Sequence, residues 1–65
     1  MPLDIYAKYN KQLAQGIVEV NAKNYDKATN LFNAAEKTLI GTGLNKIESY
    51  LYRGATHVQK AKDYI

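Results

Sequence analysis

The chain has 65 residues, no cysteine, one histidine and a formal net charge of +3, with a pI near 9.2. That length allows one domain with a thin margin of stability, burying about 60% of the surface its unfolded chain exposes. The composition excludes disulfides and thiolate metal sites, a lone histidine builds no zinc site by itself, and no apolar run approaches the roughly 20 residues of a membrane span.

Met1-Pro2-Leu3-Asp4 has no basic segment followed by an apolar core, so no signal peptide is expected and the chain is read as cytoplasmic. A first helix is expected over about residues 4–22. Ile5, Tyr6, Tyr9, Leu13, Gly16, Ile17 and Val20 recur in steps of three and four and define its apolar face. Asp4 is placed as its N-cap, with Lys8 one turn on in the favourable order. The break falls at Lys23-Asn24, where Asn24 is expected to take the left-handed conformation and cap the next helix.

The second helix is expected over about residues 25–40. Ala28, Leu31, Phe32, Ala35 and Leu39 form its buried face, opposite Asp26, Asn30, Asn33 and Lys37. In the loop Ile40–Leu44, Gly41 and Gly43 supply positive φ angles. Asn45 and Glu48 then read as a capping box opening a third helix over about residues 45–64. Its stripe is Ile47, Leu51, Gly54, Val58, Ala61 and Ile65, with Tyr50 beside it. No useful stretch alternates with period two. The expected fold class is therefore all-α: a single-domain, three-helix antiparallel bundle over residues 1–65 whose first two helices form a hairpin.

The chain nearly repeats itself. Leu13, Gly16 and Val20 recur as Leu51, Gly54 and Val58, with the same Leu–Gly spacing 38 residues on. A glycine inside a helix costs roughly 1 kcal/mol against alanine. Both glycines are therefore read as places where a neighbouring helix approaches closely, with Ala28, Phe32 and Ala35 facing Gly16.

On Leu13, Gly16, Tyr25, Ala28, Phe32 and Ala35, the chain resembles the tetratricopeptide repeat. Asn24-Tyr25-Asp26-Lys27-Ala28 is similar to that family's turn into its second helix, and Leu51-Tyr52-Arg53-Gly54 to the opening of a second repeat. The resemblance covers about residues 10–65. Departures are Glu19 and His57 at usually bulky apolar positions, the missing tryptophan and closing proline, and a longer period. The asparagine-tyrosine turn and Tyr50-Leu51-Tyr52-Arg53 also resemble the microtubule-interacting-and-trafficking domain, a single three-helix bundle. Both resemblances imply a module that binds peptides or helices in an interhelical groove.

No catalytic constellation is legible. His57 has Arg53, Lys60 and Ala61 as helical neighbours and no orienting carboxylate; the acidic residues are scattered, and Gly41-Thr42-Gly43 is not a phosphate loop. No enzyme activity, metal or cofactor is expected. The leading expectation is a protein-interaction module or small adaptor, for example a phage or bacterial inhibitor of a larger protein, holding a helical partner in a groove between the first and third helices. Leu13, Ile17, Val20, Ala55 and Val58 would give apolar contact; Asn10, Asn21, Arg53 and Gln59 a polar rim. Lys46, Arg53, His57 and Lys60 form a basic row beside it. Tyr6, Tyr9 and Tyr52 are assigned to an interface, Tyr25 and Tyr50 to the core. The alternatives are a nucleic-acid-binding bundle using the basic row with Lys8 and Lys11, and a structural bundle that forms a homodimer.

Overall fold

The computed structural model describes residues 2–43 and 47–64, and the side chains of all of these except Pro2 and Leu3. Three helices pack as a compact bundle: α1 (Pro2–Asn21), α2 (Tyr25–Leu39) and α3 (Ile47–Asp63). The expected loop residue Leu44, the capping residue Asn45, Lys46 of the basic row and Ile65 of the third stripe lie outside the described residues. No strand occurs among the described residues.

α1 begins at Pro2, a residue suited to a first helical turn because its missing N–H would be unbonded there anyway. Asp4 consequently lies inside the first turn rather than at the cap, where its charge still favours the helix dipole. The helix closes in a Schellman arrangement: Lys23 N–H donates to Val20 at 2.9 Å and Asn24 N–H to Glu19 at 2.8 Å. Lys23, not Asn24, takes the left-handed conformation, at φ 64°. Asn24 makes no side-chain cap to α2; its amide instead donates to Glu19 at 2.9 Å. Beyond α2, Gly41 and Gly43 adopt φ of 81° and 77°, as their placement in the loop requires.

The core is Tyr9, Leu13, Ala28, Phe32, Ala35 and Leu39, with Ile5, Tyr6 and Val20 packed against it. It lies almost wholly between α1 and α2. Gly16 fits against Phe32: a Cβ there would come within 2.7 Å of Phe32 Cζ and 2.9 Å of Cδ1. Phe32 also stacks on Tyr52, with centroids 5.7 Å apart and planes at 22°. Leu31, expected in the core, is half-buried.

α2 packs on both neighbours, whereas α1 and α3 touch each other over little surface. The α2 apolar row is filled by α1. What α2 offers α3 is largely polar: Tyr25, Asp26, Asn33 and Glu36. α3 answers with its own polar row and buries Ser49 and Thr56, each 1% exposed. This reverses the expected orientation. Ile47, Leu51 and Val58 are 58%, 66% and 56% exposed, and Gly54 and Ala61 are exposed with them.

The tyrosine assignment is corrected too. Tyr9 is fully buried, while Tyr50 is 47% exposed. Gly54 receives no neighbouring helix: among the described residues nothing lies within 4 Å of a Cβ built on it. The sequence repeat therefore does not carry a repeated packing contact.

Candidate functional site

The α2–α3 contact is a ladder of polar clips. Arg53 Nη1 donates to Asn33 Oδ1 at 2.6 Å and Glu36 Oε2 at 2.8 Å. Its guanidinium lies 4.7 Å from the Tyr50 ring centroid, in cation–π range. About two and three turns further on, Lys60 Nζ donates to Asp26 at 2.7 Å and the Tyr25 hydroxyl donates to Asp63 Oδ2. Lys23 approaches the same Asp63 oxygen at 3.9 Å. The hydrogen bond from Tyr25, with the attraction of Lys23, holds the Asp63 carboxyl below its ordinary pKa; that bond in turn raises the Tyr25 hydroxyl. The hydrogen bond and charge of Lys60 likewise lower Asp26, and Asp26 raises Lys60.

These clips close an open cleft of about 690 Å³ at the α1–α2 turn, lined by Lys23, Asn24, Tyr25, Asp26, Lys27, Lys60, Asp63 and Tyr64. Its charges largely neutralise one another. Lys27 pairs with Glu19 at 3.7 Å, as Lys23 and Lys60 pair with Asp63 and Asp26. The cleft joins helix ends and leaves no converging set of unused groups for a ligand.

The opposite side of α3 has another character. At 100° per residue, Leu51, Gly54 and Val58 fall within about 40° of the direction facing away from Thr56. They form an exposed apolar strip along the helix, continued at its first residue by Ile47. Ala55 and His57, both exposed, flank it.

The proposed groove residues are only partly brought together. Leu13 is buried in the core and does not line a groove. Asn10 and Asn21 are exposed on α1, Ile17 is 37% exposed and Val20 is half-buried. Tyr52 is half occupied by its stack on Phe32. Arg53 and Lys60 face α2 as clips, a correction to their expected place on an open basic rim. Gln59 is exposed and lies 3.4 Å from Asp63 Oδ1. Leu51 and Gly54, read from the sequence as core, are instead surface residues. The signal that could have placed them was the second periodic row on α3, Ser49, Tyr52, Arg53, Thr56, Lys60 and Asp63, which matches the charged row of α2.

Among the described residues no group of three His, Cys, Asp or Glu side chains is placed to hold a metal ion. Among the described residues no helix is long and apolar enough to cross a membrane. No family model, curated protein or solved structure matches the chain.

Proposed function

We propose that the protein is a non-catalytic protein-interaction module whose contact surface is the outer face of α3. The observation that carries this reading is the exposure of Leu51 and Val58 in one strip, 66% and 56%, on a helix that buries a serine and a threonine instead. Scattered exposed apolar residues are ordinary on protein surfaces. A helix that turns the described residues of its apolar stripe outward is not, and such faces suit an amphipathic partner helix.

The hairpin of α1 and α2 supports the likeness to a tetratricopeptide unit, since Gly16 takes up the Phe32 ring as the small/large pattern of that family implies. α3 departs from it, because no described residue approaches Gly54. A nucleic-acid role draws less support: two members of the basic row, Arg53 and Lys60, are paired with Glu36 and Asp26, which takes both out of an open row facing phosphates.

A photocrosslinking residue at Leu51, compared with one at Asn30 on exposed α2 surface, tests the reading in native cells. Protein adducts formed at position 51 and absent at position 30 are expected. Nucleic-acid adducts, or none at position 51, would contradict it.

A further inference from the structure

We infer that the partner of this face is a second copy of the chain, docked α3 against α3 in antiparallel fashion and crossing at Gly54. This rests on the reading of α3 as an interaction surface and names its occupant.

The face is self-complementary about Gly54. In a two-fold antiparallel pair, a residue above the crossing meets one the same distance below it on the other copy. Leu51 precedes Gly54 by three residues and Val58 follows it by four. Reversal therefore sets Leu51 of each copy against Val58 of the other, twice. Gly54 stands near the middle of the 17-residue helix. With nothing within 4 Å of a Cβ there among the described residues, its bare backbone lets the two axes approach closely where they cross.

The charges agree with the same arrangement. α3 carries Glu48 in its first turn and Lys62 in its last. Both lie on the flank of the strip occupied by Ala55, and reversal brings them to within roughly 3 Å of the same height at 1.5 Å per residue. Glu48 of each copy then faces Lys62 of the other. A parallel pair would instead put both Glu48 at one end and both Lys62 at the other, on opposite flanks, and would bring no Glu48 to a Lys62. Neither residue is in an ion pair with another described side chain. On the opposite flank the reversal sets exposed Tyr50 near His57 of the second copy.

The face is small. A standard interface buries about 800 Å² on each partner, roughly a sixth of the 4529 Å² that this chain exposes. One face of a helix about 25 Å long supplies less than that. The face therefore falls below the standard size, in the range of weak and transient pairs.

The absence of cysteine makes single-cysteine variants clean reporters, because a disulfide needs Cα atoms within about 7 Å. Gly54→Cys should oxidise to a disulfide dimer about tenfold faster than Asn30→Cys at equal concentration, through the raised local thiol concentration. An equimolar mixture of Leu51→Cys and Val58→Cys should give the mixed dimer well beyond the twofold excess over either homodimer that random pairing produces, and a 2:1:1 mixture would overturn the arrangement. Equal rates for Gly54→Cys and Asn30→Cys, or homodimers of Leu51→Cys as the main product, would overturn the arrangement. The mass of the position-51 photoadduct separates this inference from the reading beneath it. A product of twice the 7.3 kDa chain supports the second copy. An adduct with a different protein, and none of twice the chain mass, overturns the second copy and leaves the interaction module standing. No protein adduct overturns both.

Discussion

The Tyr9 hydroxyl accepts the backbone N–H of Ser49 at 3.1 Å, joining α1 to the first turn of α3 across 40 residues. The first N–H groups of a helix have no partner within it. Here one of them is buried, and a core tyrosine satisfies it. Tyr9→Phe removes this acceptor and leaves the packing, so the N–H loses its bond to Tyr9. We expect a loss of about 1–2 kcal/mol in urea unfolding. An unchanged midpoint would show that the N–H finds another acceptor.

The two helical glycines should respond oppositely to one substitution. Gly16→Ala places a Cβ against a Phe32 ring that is 1% exposed and stacked on Tyr52, so we expect destabilisation by about 1–3 kcal/mol despite better helix propensity. Gly54→Ala meets open space and should stabilise the monomer by about 1 kcal/mol. Thermal melts of both variants under dilute conditions check the pair. Equal signs would mean that the two sites share one environment.

Arg53 should behave as a structural clip. Its side chain and that of Glu36 are 27% and 16% exposed, so removing the cation leaves Glu36 and Asn33 short of a donor in a partly shielded place. Arg53→Ala should cost about 1–2 kcal/mol, and Arg53→Lys should recover part of it while losing the planar contact with Tyr50. A double-mutant cycle with Glu36→Gln measures the coupling. No coupling would remove the clip from the account.

The pH dependence follows from the signs of the shifts. Asp63 and Asp26 are held below the ordinary value of 3.8 by Tyr25 and Lys60. Their contributions are therefore full above that value and disappear as pH falls through the lower folded values. Tyr25 and Lys60 are raised above 10.0 and 10.5 by Asp63 and Asp26. Those contributions are present below the ordinary values and disappear as pH rises through the folded ones. The C-terminal half of α3 should thus loosen at both extremes. Amide exchange followed against pH should show it, and Tyr25→Phe should flatten part of both limbs.

Helix positions and breaks were legible because they rest on local chemistry. Gly41 and Gly43 take positive φ, which glycine does without steric cost, and the Gly16–Phe32 fit follows from one apolar stripe meeting another. The rotation of α3 was not legible. Its apolar stripe and its polar row both have helical spacing, and choosing between them requires knowing that α1 already covers the apolar row of α2. The same gap explains Tyr9 and Tyr50. A tyrosine's hydroxyl fits a core when it finds a partner, and the partner of Tyr9 is a backbone N–H supplied from another helix. Arg53 and Lys60 looked like a free basic rim because Glu36 and Asp26 lie on a different helix.

The orientation of α3 is the claim on which the interaction surface depends, and methyl relaxation by a soluble paramagnetic agent tests it most directly. In dilute solution the methyls of Leu51 and Val58 should relax strongly, while those of Leu13, Leu39 and Thr56 stay protected. Protection of Leu51 and Val58 to the level of Leu39, with Thr56 exposed, would place the apolar stripe inside the bundle and contradict the account.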